Sequence, residues 1–150
     1  MEGRHPKAFE SIDWPRLFEL LELNSATTER LMRLLTVHML VDRVLTSALA
    51  VRLTQDQTQI EGAIGKLAEL GFAQRIDLAK LCGAISGETP AELQEVNRVR
   101  NAFAHYKPKH GWSPGDIPEL ADEARYTACA AGGIRALQTL VAALGNEGGR

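Results

Sequence analysis

Aromatic residues are scarce in this chain: four Phe, two Trp and two Tyr, 5% of 150 positions. A surface that holds nucleic-acid strands by stacking successive bases needs more rings, so any contact of that kind has to be local. The two cysteines, Cys82 and Cys129, are 47 residues apart with no CxxC between them, and a secretory h-region is missing at the N-terminus. Both features argue against a disulfide scaffold and for a cytoplasmic protein. Neither sign of charge dominates, with 17 Lys and Arg against 19 Asp and Glu for a net charge of −2, which excludes a dedicated polyanion coat. Long apolar runs are also lacking: the richest, Val37 to Leu53, is interrupted by His38, Asp42, Arg43 and Arg52. A membrane span of roughly 18 residues is therefore not expected. A chain of this length buries about 70% of its unfolded surface as one domain without metal or disulfide staples, so a single domain over 1–150 is expected, with its core at about 13–145 and flexible ends at 1–7 and 146–150.

Proline is absent from Arg16 to Thr89 and glycine from Arg16 to Glu61. Backbone without these residues reads as long helix. The pattern predicts a short helix from Asp13 or Trp14 to Leu23, then a central helix to about Leu53 capped by Ser25, Thr27 or Thr28. Helices over Ile60–Leu70 and Phe72–Leu81 follow, broken at Gly71 and ended by Gly83 and Gly87. Thr89-Pro-Ala-Glu92 has the form of a capping box with proline in the first turn, and opens a helix to about Tyr106. Asp116-Ile-Pro-Glu119 repeats that pattern before a last helix to about Leu144, stopped by Gly145. Gly132 and Gly133 inside it call for a close helix crossing or a weak point. The fold class is all-α, a bundle of five to six helices around a long central one.

On a wheel of about 100° per residue, Val96, Val99 and Phe103 share an apolar face while Asn97, Arg100, Asn101 and His105 fall within an adjoining arc of roughly 140°. Guanidinium, amides and imidazole bind anions and move protons. The same residues also suit a surface helix whose cations favour its C-terminal end. In the central helix, His38 and Asp42 project from the stripe of Leu31, Leu34, Leu35, Leu45 and Leu49. A carboxylate there needs a cation or donor from another helix. Arg100 and His105 are the favoured partners; the alternatives are a purely structural pair with Arg98, Arg43 or another of the chain's arginines and lysines, or a place on a dimer rim.

The segment Val96-Asn-Arg-Val-Arg-Asn-Ala-Phe-Ala-His-Tyr106 resembles the RX4–6H signature of the HEPN superfamily. The preceding Phe72-Ala-Gln-Arg-Ile-Asp-Leu-Ala-Lys-Leu-Cys-Gly83 is similar to the mannitol operon repressor branch. The resemblance covers about Met32 to Tyr106. It implies a HEPN-like bundle that dimerises, so that two copies of the motif share one cleft. It also implies metal-independent endoribonuclease activity of the kind found in toxins of toxin–antitoxin and defence systems, with a nucleotidyltransferase-like antitoxin as a possible partner. The alternative is a non-catalytic regulatory module of the repressor type that binds nucleotide, RNA or protein, and after that a plain dimerisation scaffold. For cleavage, His105 suits a general base or acid, Arg100 a phosphate clamp, and Asn101 a group that orients the scissile bond, with Asp42 holding Arg100 or the histidine tautomer and His38 and Asn97 supporting them.

Lys107, Lys109, His110 and Trp112 form a turn-rich loop with the cations and ring expected of an RNA-binding strand, or of an ordinary polar loop. His5, His38, His105 and His110 have no metal-ligand spacing, so neither metal nor cofactor is expected. Gly62-Ala-Ile-Gly-Lys66 lacks the first glycine and the hydroxyl residue of a phosphate loop. Ile60–Gly83 imitates a helix-turn-helix, but its second helix sets Arg75 and Lys80 against Asp77, too few cations for reading DNA.

Overall fold

The computed structural model describes residues 25–105 and 117–147. The expected helix before Leu23, the 1–7 tail and the loop bearing Lys107, Lys109, His110 and Trp112 lie outside them. Within them every regular element is an α-helix apart from one 3-10 turn at Gln57–Gln59, with short turns between: α1 Ser25–Leu53, α2 Ile60–Leu67, α3 Phe72–Leu81, α4 Thr89–Ala104, α5 Pro118–Ala121 and α6 Glu123–Glu147.

The 29 residues of α1 form one uninterrupted helix, as the missing glycine and proline require. Thr36, Thr46 and Ser47 sit within it because their hydroxyls donate back to the carbonyls of Met32, Asp42 and Arg43, keeping polar groups satisfied on a mostly apolar rod. Its inner face, Leu34, Val41, Leu45 and Leu49, is fully buried and meets Ile76 of α3, Leu93, Val96 and Val99 of α4, and Leu140 of α6. Each such side chain contributes roughly 1.5–3 kcal/mol by leaving water, so α1 is the element on which the others assemble. By length and mean hydropathy, Ala26–Leu53 and Glu123–Gly145 are each apolar enough to cross a membrane, which counting interrupted runs did not anticipate. In this fold the two helices pack together, with half of the α1 window buried.

Several boundaries differ from the sequence expectation for local reasons. The second helix stops at Leu67, and the next three residues close a turn through hydrogen bonds from Ala68, Glu69 and Leu70 to Ile64, Lys66 and Leu67. Gly83 and Gly87 both take positive φ, 75° and 62°, so they end α3 and turn the chain into α4 as glycines at such positions do. That turn brings Glu92 N–H to the Glu88 carbonyl, starting the helix one residue earlier than the Thr89 cap. The Thr89–Glu92 capping box does not form: Glu88 is the cap without a side-chain bond, and Glu92 instead accepts from Arg135 Nε at 3.0 Å. The last helix is two helices. Asp122, extended at φ −101° and ψ 119°, breaks it and accepts from the N–H groups of Ala124 and Arg125, capping α6. Glu119, expected to complete a cap, is buried and ion-paired with Arg98. Gly145 does not stop α6, which runs to Glu147. The close crossing expected at Gly132 and Gly133 is present, Gly133 lying against Val37 of α1 and Val96 of α4.

Candidate functional site

The polar arc of α4 faces a cavity of about 410 Å³ between α1, the start of α3 and α4. Asn97, Arg100 and Asn101 line one wall, His38 and Asp42 of α1 a second, and Gly71 to Arg75 the third. Four-residue spacing stacks His38 over Asp42 and Asn97 beside Asn101, so each helix offers one polar edge to the gap.

His38 is buried, with 9% of its surface exposed. Its Nε2 lies 3.2 Å from Asn97 Oδ1, which makes Nε2 the protonated nitrogen of a neutral ring. The ring tilts against Phe72, centroids 4.7 Å apart. Burial holds the imidazole below its ordinary pKa; the Asn97 hydrogen bond and the Asp42 charge oppose this, while Arg100 and Arg75 add to it. The group is thus a neutral imidazole near pH 7.

Asp42 does find a cation from another helix, but the cation is Arg75 of α3, one of the arginines that the sequence left open as a structural partner without singling it out. Arg75 Nη1 bonds the Asp42 carboxylate and, at 2.5 Å, Thr46 Oγ1. Its guanidinium lies 5.6 Å from the Phe72 ring centroid. Neither Arg100 nor His105 takes that carboxylate. Arg100 is exposed and donates to its neighbour Asn101 Oδ1 at 3.2 Å. Arg98 points away to Glu95 and Glu119. The correction follows from helix placement: α3 packs against α1 beside Asp42, and residue 75 falls on its buried face together with Phe72, Ile76 and Ala79. A cation at that inward position, one turn after Phe72, was the available signal. The same burial removes Arg75 from any DNA-reading face.

His105 stands at the C-cap of α4, its N–H bonded to the Asn101 carbonyl. It is exposed and does not line the cavity; one helical turn separates it from Asn101. One helix therefore carries Arg100, Asn101 and His105, but the imidazole inside the cavity is His38. The apolar face of α4 is buried at Val96 and Val99, whereas Phe103 remains 37% exposed.

A larger hollow, about 480 Å³, lies between α4 and α6. Glu88, Glu92, Glu95 and Glu119 outnumber Arg125 and Arg135 on its walls, so it disfavours phosphate despite its size. Cys129 at its edge is no nucleophile: burial, aided by Glu95, pushes the thiol up to about 11. Among the described residues no three His, Cys, Asp or Glu side chains converge as a metal site would require. Comparison with protein-family models, with characterised proteins and with solved structures finds no match.

Proposed function

We propose that the chain is a metal-independent endoribonuclease of the HEPN type, a cytoplasmic homodimer whose two α4 helices share one cleft. What supports this is the placement of Arg100, Asn101 and His105 along a single helix that flanks a polar cavity, with His105 in the open at its end. In the reaction the 2′-oxygen attacks phosphorus as its proton passes to one imidazole. The P–O5′ bond breaks, and the leaving oxygen takes a proton from a second, leaving a 2′,3′-cyclic phosphate. Among the described residues each protomer supplies one exposed histidine, His105, so acid and base are drawn from two copies of it. Arg100 clamps the equatorial oxygens as charge builds on them, and Asn101 holds the scissile group in line. Asp42 acts further back, fixing Arg75 in the wall.

The test is purified protein on single-stranded RNA with chelator present. Cyclic phosphate ends are expected, reduced about 10²–10³-fold by Arg100→Ala and about 10²–10⁴-fold by His105→Ala. Inert wild-type protein would overturn the reading. A second reading, a non-catalytic regulatory module of the mannitol operon repressor type, is favoured by one observation: His105 lies outside the cavity that Arg100 and Asn101 line. It predicts ligand-dependent stabilisation without turnover. If cleavage is found, a toxin role with a nucleotidyltransferase-like antitoxin is the natural setting, checked by whether a co-expressed neighbouring gene relieves growth arrest.

A further inference from the structure

The outer side of α1 is covered over one half of its length and open over the other. At about 100° per residue, Met32, Thr36, Met39, Arg43, Thr46 and Ala50 share an arc of roughly 80°, opposite the face that forms the core. Thr46 and Ala50 are buried, because α2 lies against this end of α1 with Ile64 beside Thr46 and Ser47. The four earlier residues are exposed, Met32 by 58% and Met39 by 52%, with Leu40 next to them at 39%. Large apolar side chains gathered on the back of a core helix mark a docking face.

Reach identifies the occupant. The described chain begins at Ser25, the first residue of α1, with 24 residues before it. A helix over 13–23, as the sequence predicts, is about 16 Å long. Joined to α1 by a short turn around Asn24, it can fold back as an αα-hairpin and end level with about residue 36. Phe9 and Ile12 ahead of it then extend over Met39 and Leu40, since extended chain covers about 3.3 Å per residue. The open half of α1 is the half this segment can reach.

The composition of the segment matches the face. Trp14, Leu17, Phe18 and Leu21 recur at helical spacing as one apolar stripe. Residues 9–23 carry Glu10, Asp13, Glu19 and Glu22 against Arg16 alone, while the open strip is edged by Arg33 and Arg43, neither ion-paired among the described residues. A second copy of the chain fits less well. A two-fold axis through the middle of the strip sets Arg33 of one protomer opposite the partner's Arg43, like charge against like.

We propose that residues 9–23 dock on the outer side of α1 between Met32 and Leu40, with 13–23 antiparallel to it. The face is then an internal seam of the protomer, closed to other molecules. No residue of the cavity or of the α4 end takes part, so the seam and the nuclease reading stand or fall separately.

Met39→Glu separates a covered face from an open one. On an open helix a glutamate four residues before Arg43 is favourable, and the thermal midpoint of the full chain would hold or rise. Beneath an apolar, acidic segment the same charge is costly, and a fall of about 4–8 °C is expected. Trp14 reports on the segment itself. With Trp112→Phe as background it is the sole tryptophan. Its emission should be blue-shifted and shielded from acrylamide, then move to the red and become quenchable when Met32→Glu and Met39→Glu are combined. A Leu17→Cys, Met32→Cys pair names the occupant, with Cys82→Ser added so that only the buried Cys129 remains of the native thiols. Oxidation should close a disulfide within one chain, which runs as monomer on a non-reducing gel. Trp14 open to quencher in the full chain, or a Met39→Glu midpoint that does not fall, overturns the proposal. So does shielding that fades on dilution together with a disulfide between chains, which would give the face to a second copy.

Discussion

Asp42 and Arg75 are unequal partners, and the inequality predicts how each behaves when the other is removed. About a third of the Asp42 side chain reaches water, against 9% for Arg75. A guanidinium does not deprotonate in a protein, so Asp42→Ala strands a buried charge and should cost about 3–5 kcal/mol of stability. Arg75→Met fills the same space with apolar atoms and leaves a carboxylate that can rehydrate, for a cost of about 1–2 kcal/mol. Urea denaturation of the two variants checks the order; equal losses would mean the pair is looser than its burial implies. His38 adds a pH dependence whose sign is set by burial. Its folded pKa lies below the unfolded value of about 6.5, so above that pH its contribution to stability is fully present. As pH falls from there toward the lowered folded value, the unfolded chain takes up the proton first and stability drops. Measured by denaturation across this range, His38→Gln should flatten that part of the profile while leaving the carboxylate-driven loss at lower pH in place.

Among the elements, the crossing of α6 over α1 and α4 is the tightest. A Cβ added at Gly133 would fall 2.7 Å from Val37 Cγ1 and 2.8 Å from Val96 Cγ2, both on buried, stiff side chains. Gly133→Ala should therefore destabilise by about 1–3 kcal/mol, overriding alanine's helix preference. At Gly65, inside α2, nothing lies within 4 Å, and the same substitution should stabilise by about 0.5–1 kcal/mol. Thermal midpoints moving in opposite directions are the check; a shared direction would rule out contact as the cause. The crossing was legible in the sequence because paired glycines inside an amphipathic stretch have few other uses. So was α1, since a glycine-free and proline-free run with an apolar stripe admits little else. The break at Asp122 was not, because Ala121-Asp-Glu-Ala124 contains no breaker and an aspartate reads equally as a mid-helix residue or a cap. The site followed the same division. The α4 stripe emerged from its own periodicity, whereas Arg75 as the partner of Asp42 depends on how α3 docks, a non-local fact that spacing along one helix cannot carry.

At the scale of the whole molecule, the exposed position of His105 turns the nuclease reading into a statement about assembly. One protomer holds a single imidazole at the end of α4, whereas transferring one proton from the 2′-hydroxyl and another to the leaving oxygen takes two. If both histidines come from a two-fold pair of helices, a dimer with one His105→Ala protomer is as dead as one with two. Mixing wild-type and His105→Ala protein at a fixed total concentration, with time for subunits to exchange, should then lower activity as the square of the wild-type fraction. An equal mixture would retain about one quarter of full activity, since only that share of randomly paired dimers is wild type in both halves. Independent sites would leave about one half. The mixing curve is read against the oligomeric state by light scattering, because a monomer must give the linear result. A linear curve from a confirmed dimer would place acid and base within one protomer and turn attention to His38 as the second imidazole. A quadratic curve would locate the cleft between the two copies of α4 and leave His38 as a neutral ring that braces Asn97 behind it.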